Sequence, residues 1–457
     1  MSTITAPTYD PTTTAQALAQ KYTATAQSAL TTDTTTAKAV ATALGSLGVA
    51  ITSFQSSLGT LTGTGKTFLS QSATLSDTAY GSATANGKAV AGTYDFFVAQ
   101  VATAGQAKYG NLTDSTDASG TLRVKIGSGG FDVDLGKAAG DATLTVRELA
   151  AAINNASGNA GKVSASVVTF GTNTQLVLSS TQTGEANAVS LDLANVNDGS
   201  LKTALGTAAN VSTTTPQDAI VWVGGKSGTE VKQASNTFTN VDGLSVSFTK
   251  AQLDTDANLT VAVKTDNSGT AANVKSFVDA YNAMKKTLDG LVAAANADTG
   301  AAAGAFASDA GVLALQARLV TLLRPAGNAT LASFGITAQR DGTLALDSTR
   351  LNKQLTLQPD GLDRLLGSTS ASATSGIAGA LDTYLDQWSG ISGQIKQRTD
   401  ANTKQQSDLT KRQTDLDTKY NAAYDRYLKQ FTDLQTLQST MNSNVSLFDA
   451  LFSSDDS

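Results

Sequence analysis

The 457-residue chain has no cysteine and no histidine. Without cysteine there is no disulfide, no thiolate nucleophile and no thiolate metal site. Without histidine the commonest general base and the commonest zinc ligand are missing, which excludes metalloprotease motifs and Ser-His-Asp triads outright. Glutamate is nearly absent as well: Glu148, Glu185 and Glu230 are the whole set, so aspartate carries the acidity. The formal charge of -6 and a pI near 4.8 argue against a nucleic-acid partner and do not favour an anionic membrane surface. Proline occurs only at Pro7, Pro11, Pro216, Pro325 and Pro359. No uninterrupted apolar run approaches the ~20 residues of a membrane span. Met1 to Asp10 carries neither the basic region nor the apolar core of a secretory signal, so the expectation is a cytoplasmic chain or export without a cleaved signal.

What fills the gaps is Thr, Ser, Ala, Gly, Asn and Gln, with charged residues at only 15%, a polar but weakly charged surface of the kind found on surface and extracellular assembly proteins. The length suggests about three domains. Two apolar seams stand out near the ends. Val40, Leu44, Leu47, Ile51, Phe54, Leu58 and Leu61 alternate four and three residues apart, the coiled-coil spacing. Tyr427, Phe431, Leu434, Gln438, Met441, Val445, Phe448 and Phe452 do the same at the other end, preceded by Tyr420 and Tyr424 on the same stripe. A sticky stripe on a terminal helix needs a partner, inside the chain or in another molecule. Burying a large apolar side chain is worth roughly 1.5–3 kcal/mol, so such seams hold helices that Thr and Ser alone would not.

The fold class read from this pattern is α+β and multidomain. Terminal helices form an antiparallel coiled-coil or helical-bundle leg, with two β-rich head domains inserted between them. Residues 1–36, rich in Thr and Ala, are expected to be a loose N-terminal arm in the isolated molecule. The leg is assigned to 37–64 plus 267–425, the first head to 65–108 plus 212–266, the second head to 109–211, and a C-terminal assembly helix to 426–457. Strand patterns occur at 94–101, 122–126, 131–135, 163–170, 175–179, 219–223, 244–248 and 259–263. Thr145 followed by Glu148 predicts a capping box at the start of a helix through Ile153. Helix returns at Asn273, and from Leu381 the helical pattern runs to the end, polar nearly all round between Gln394 and Gln413.

Motifs that would carry chemistry fail on spacing. Gly65-Lys66-Thr67 and Gly225-Lys226-Ser227 resemble the end of a phosphate loop, but Thr60 and Ile220 stand where its first Gly belongs. Asp254-Thr255-Asp256-Ala257-Asn258 opens like a calcium loop, yet Leu259 and Thr265 replace the required Gly and Glu. Asp132 and Asp134 alternate on one strand, the pattern of a solvated face. No catalytic residue, cofactor or metal ligand is assigned, and the chain is read as a non-enzyme. The candidate functional residues are an assembly interface: Val40, Leu44, Leu47, Ile51, Phe54, Leu58, Tyr420, Tyr424, Tyr427, Phe431, Leu434, Met441, Val445, Phe448 and Phe452.

Several segments resemble the bacterial flagellar filament-capping family, the flagellar hook-associated protein 2 family. They are Arg426 to Leu437 with Met441-Asn442-Ser443, Val274 to Asn282, Phe334-Gly335-Ile336 with Gly342 to Asp347, Ala234 to Thr237 before Val241 to Leu244, and Thr143 to Ile153 with Val163 to Val168. The opening, Tyr9-Asp10-Pro11 and a Thr-rich run, departs from the family's usual Gly-Leu-Asp-like start. The resemblance implies a structural cap at the distal filament end that retains exported flagellin and guides its polymerisation. It implies a homo-oligomeric ring, commonly a pentamer, and secretion through the flagellar export channel. Partners would be flagellin, the hook-filament junction proteins and an export chaperone for the C-terminal helix. An alternative reading is a flagellar surface adhesin whose heads bind host glycans, for which Trp222 and Tyr109 are the only hints.

Overall fold

The computed structural model describes residues 9–140, 143–171, 173–197, 199–324 and 330–452; the side chain of Phe452 lies outside what is described. The chain divides into two compact units, Met1–Thr64 with Asn273–Ser457, and Gly65–Ala272.

The first unit is helical. Its N-terminal helix, Pro11–Thr62, starts where the Asp10 carboxylate accepts hydrogen bonds from the backbone N–H of Thr12 at 3.2 Å and Thr13 at 3.1 Å, with proline in the first turn. The expected loose arm is therefore corrected: 11–36 is the first half of this helix. The composition hid it because the face it buries is made of Ala15, Ala19, Thr23, Leu30 and Ala37, small residues with little hydrophobic signature. Many of its hydroxyls turn back on their own helix. Thr23, Thr32, Thr35, Thr42 and Thr52 each donate to the carbonyl four residues earlier.

The second half of that helix forms the core. Leu44, Leu47, Ile51, Phe54 and Leu58 are at most 1% exposed, and the Phe54 ring lies 6.2 Å from both Phe277 and Tyr281 on helix Asn267–Val292. One 18-residue window of Pro11–Thr62 reaches a mean hydropathy of 1.4, enough by composition to cross a membrane, a correction to the expectation from uninterrupted runs. Its large side chains are spent on this core. Helix Ala310–Leu322 contributes Val312, Leu315 and Leu319, and helix Gly376–Ser389 contributes Leu381, Leu385 and Trp388. Arg398 ties the elements together: its guanidinium donates to Asp309 at 2.6 Å and lies 5.4 Å from the Trp388 ring centroid. The Arg398 hydrogen bond holds the Asp309 carboxyl below its ordinary value.

Two helix boundaries differ from the sequence reading. Helix Asn267–Val292 begins six residues before Asn273, because the Asp266 carboxylate accepts from the Gly269 N–H at 2.9 Å and caps a Ser-Gly-Thr stretch that reads as a loop. The run from Leu381 is broken between Ser389 and Gln394, at Gly390 and Gly393, before the C-terminal helix Gln394–Phe452.

The second unit is β-rich, with two separate apolar cores. In the outer domain five antiparallel strands lie in the order Gln71–Leu75, Leu259–Thr265, Gly92–Gln100, Ala219–Val223, Thr229–Gln233. A second sheet of Thr237–Phe238, Leu244–Phe248 and Gly81–Ala85 shares their core, where Phe96 stacks 5.3 Å from Phe238 and 5.8 Å from Phe248. Between Gly92–Gln100 and Ala219–Val223 the chain makes an inserted domain. Its four-stranded sheet runs Val211–Thr214, Ala104–Leu112, Asn173–Thr183, Val163–Phe170, and a three-stranded sheet runs Gly129–Asp134, Thr121–Ile126, Val189–Asp192. Helix Val146–Asn155 packs on them with the expected Thr145–Glu148 capping box. The inserted domain's first strand starts at Ala104 and its last ends at Thr214, so limits at 109 and 211 cut through strands. Ala104–Leu112 carries four small residues, Ala104, Gly105, Ala107 and Gly110, and no β-branched one, which left it silent in the sequence.

Asp117 ties the Ser115 loop of the inserted domain to the start of helix Ser200–Gly206. It accepts from the Ser115 hydroxyl at 2.6 Å and the Ser200 hydroxyl at 2.8 Å, and from the Ser200 N–H at 3.1 Å at the start of helix Ser200–Gly206. These bonds, led by Ser115, pull its carboxyl down from 3.8 to about 2. The folded state therefore prefers the charged form, and this contribution is whole above the unfolded value and lost as pH falls from 3.8 to about 2. We expect Asp117→Asn to lower stability at neutral pH and to flatten the acid limb of the domain's unfolding curve, followed by near-UV circular dichroism; an unchanged limb removes Asp117 from this role.

Candidate assembly surface

The long terminal helices lie antiparallel. Gln27 and Gln413 exchange amide hydrogen bonds at 3.1 and 3.0 Å. Asn402 donates to the Ala37 carbonyl at 3.1 Å from a buried position, and is itself held by Gln406 at 2.6 Å. Arg412 reaches Asp33 at 3.5 Å. A four-residue apolar cluster, Leu30, Ala37, Leu409 and Leu416, sits between these polar ties. The polar stretch from Gln394 to Gln413 is thus explained. It faces a helix whose own contact face is small and polar, and buried amides there fix register at some cost in stability.

Further out the aromatics take over. The Arg426 guanidinium lies 6.0 Å from the Tyr22 ring and 4.8 Å from Tyr427. Tyr9 meets Phe431 edge-to-face, ring centroids 5.5 Å apart. This is the outermost cross-helix pair among the described residues. The C-terminal helix continues for about twenty residues past it, roughly 30 Å of helix. On that extension Leu434, Leu437, Met441 and Leu447 are 40–61% exposed.

The proposed interface residues therefore separate into three groups. Leu44, Leu47, Ile51, Phe54 and Leu58 are sealed inside the chain's own helical core and Val40 is half-buried beside them, so this seam is corrected from an intermolecular to an intramolecular one. The cause is helix Asn267–Val292, whose Phe277 and Tyr281 cover it. Tyr420, Tyr424, Tyr427 and Phe431 are half-buried along the two-helix hairpin. Leu434, Met441 and Phe448 stand exposed on the extension, with Val445 half-buried. Leu437 and Leu447 are not among the interface residues the heptad spacing selects, yet both stand exposed on the same extension, Leu437 on the flank of the Leu434–Met441 stripe.

Nothing else in the described residues gathers into a reactive centre. No group of three or more His, Cys, Asp or Glu is placed to hold a metal ion. Asp132 pairs with Arg123 at 2.9 Å, and Asp134 caps helix Leu135–Ala139 through Lys137 N–H at 3.1 Å. Asp256 accepts from the Leu253 N–H and the Tyr80 hydroxyl, both at 2.8 Å, closing a turn. Tyr109, a hint for the adhesin reading, is only 4% exposed and its hydroxyl accepts from the Leu191 N–H at 2.9 Å, a core role.

Residues 8–105 match the family model described as "Flagellar hook-associated protein 2 N-terminus", and residues 216–443 the one described as "Flagellar hook-associated protein 2 C-terminus". The stretch between the two matches is the inserted β-domain. The "Lateral flagellar hook-associated protein 2" of Vibrio parahaemolyticus is 33% identical over 390 residues, covering 83% of this chain and 86% of that protein. The "B-type flagellar hook-associated protein 2" of Pseudomonas aeruginosa is 30% identical over 423 residues, covering 87% and 86%. The crystal structure of the D1-D2-D3 domains of the flagellar cap protein FliD from Escherichia coli superposes with a TM-score of 0.56 at 24% identity, over 79% of this chain and 99% of that one, a likeness of fold.

Proposed function

This chain belongs to the flagellar hook-associated protein 2 family, and we propose that it is a structural cap at the distal end of the flagellar filament, retaining exported flagellin and ordering its polymerisation. The observation that carries the reading is the apolar column on the C-terminal extension, Leu434, Leu437 and Met441, exposed where the N-terminal helix no longer runs beside it. An exposed heptad stripe of this length marks an interaction surface. In the proposed cap the helical unit supplies the legs and the β-rich unit the plate.

The proposal includes a ring of five copies, contacts with flagellin and hook-filament junction proteins, an export chaperone shielding the C-terminal helix, and delivery through the export channel. The mechanism is mechanical: weak leg contacts shift as each flagellin subunit enters. The test is genetic. Deleting this chain from the bacterium that makes it should leave hooks without filaments and release flagellin into the medium; filaments of normal length from the deletion strain would overturn the reading. A particle mass five times 46.5 kDa would establish the stoichiometry.

A further inference from the structure

Among the described residues, the two β-domains have separate apolar cores. The cluster around Phe96, Val221 and Val261 and the cluster around Leu122, Leu176 and Leu178 have no residue in common. Two connectors, 101–103 and 215–218, link the domains, paired where Thr103 N–H donates to the Gln217 carbonyl at 2.9 Å and Gln217 N–H to the Thr103 hydroxyl at 3.0 Å. A hinge of two strands with no shared core moves by default.

One loop of the inserted domain, 183–187, closes over this hinge. The Thr183 hydroxyl donates to the Ala234 carbonyl at 2.6 Å, and the Gly184 N–H donates to the Thr103 carbonyl at 3.0 Å. The Glu185 N–H donates to the Asp218 carboxylate at 2.8 Å. Glu185 then reaches Lys232 on the edge strand of the outer domain at 2.7 Å, with Asp218 3.7 Å from the same ammonium. Gly184 is indispensable to the fit. Its φ is +107°, and a Cβ there would stand 2.4 Å from the Cβ of Ala234 and 2.7 Å from its Cα.

We propose that the 183–187 loop is a clasp that sets the orientation of the inserted β-domain on the outer one. Its inner grip is the seat of Gly184 on Ala234 with the three hydrogen bonds donated by Thr183, Gly184 and Glu185. Its outer tie is the Glu185–Lys232 ion pair. The Lys232 and Glu185 side chains are 52% and 65% exposed, so that tie is weak and screened by salt. Releasing the clasp frees the orientation and leaves both cores folded, because neither core crosses the joint.

The chain has no cysteine, so two introduced ones are unique spin-label sites. Ser82→Cys on the outer domain and Ser166→Cys on the inserted domain, both exposed, report the inter-domain distance by pulsed electron resonance in the full-length protein. We expect one narrow distance in the parent. Gly184→Val should broaden or split it, and Thr183→Val, which removes one hydroxyl donor and keeps the shape, should broaden it less. Lys232→Ala should match the parent in about 1 M sodium chloride, where the screening length is about 3 Å, while Lys232→Arg stays narrow. A single narrow distance in both Gly184→Val and Thr183→Val overturns the clasp. Insensitivity to Lys232→Ala and to salt overturns the ionic tie.

Discussion

Ending the chain at Phe431 is expected to abolish filament growth while leaving the rest of the molecule folded. The cut removes the C-terminal extension that carries Leu434, Leu437 and Met441. It spares every cross-helix contact described above, from Asn402–Ala37 to Tyr9–Phe431. The thermal unfolding of both units should therefore move little, since no buried side chain of the described core lies beyond the cut. Filament length by electron microscopy and flagellin released into the medium are the readouts. A milder form of the same test is Leu437→Asp with Met441→Asp, which places charge on the exposed stripe at no cost to a core. Wild-type motility in both would show that the extension is dispensable for assembly.

Phe54→Ala is expected to have the largest effect on stability. The ring is 1% exposed and lies against Phe277 and Tyr281, so its loss leaves a cavity between helices Pro11–Thr62 and Asn267–Val292. Core Phe→Ala changes cost about 3–5 kcal/mol, which in a unit of this size lowers the midpoint by roughly 10 °C. Tyr281 gives an independent reading of the same site. Burial first, and Asp289 second, push its phenol up from 10.0 to about 12. The folded state therefore holds the neutral phenol, a preference complete below 10.0 and lost as pH climbs toward about 12. In Phe54→Ala the phenol should titrate closer to its ordinary value in a spectrophotometric titration, as water reaches the cavity. A phenol unmoved in a folded variant would mean the core has closed over the gap.

The helical core was legible because large apolar residues repeat at heptad spacing from Val40 to Leu61, and the strands because β-branched residues alternate at 122–126, 163–168 and 259–263. What escaped was everything built from small or polar residues. The buried face of residues 11–36 is Ala and Thr, whose burial depends on a partner nearly 400 positions away in sequence, as the Gln27–Gln413 pair shows. The strand Ala104–Leu112 is equally mute, since alanine and glycine declare no secondary structure until a neighbouring strand is in place. The seam at Val40 to Leu58 was read correctly as a seam and wrongly as a surface: periodicity reveals that a stripe is covered, not by what. The outer stripe at the C-terminus has the same periodicity and stands exposed; what separates the two is helix Asn267–Val292, which covers the first seam and leaves no mark in either periodicity.

The threonines that donate to their own helix, four residues back, bear on how such a rod behaves toward neighbours. A hydroxyl already engaged with its own backbone has little left to offer another molecule. Along Pro11–Thr62 the outward face is thus sparse in charge, and the hydroxyls of Thr32, Thr35 and Thr42 are already occupied by their own helix. An adjoining helix moving past such a face breaks few specific bonds per turn of travel. That is the character of a bearing rather than a glue.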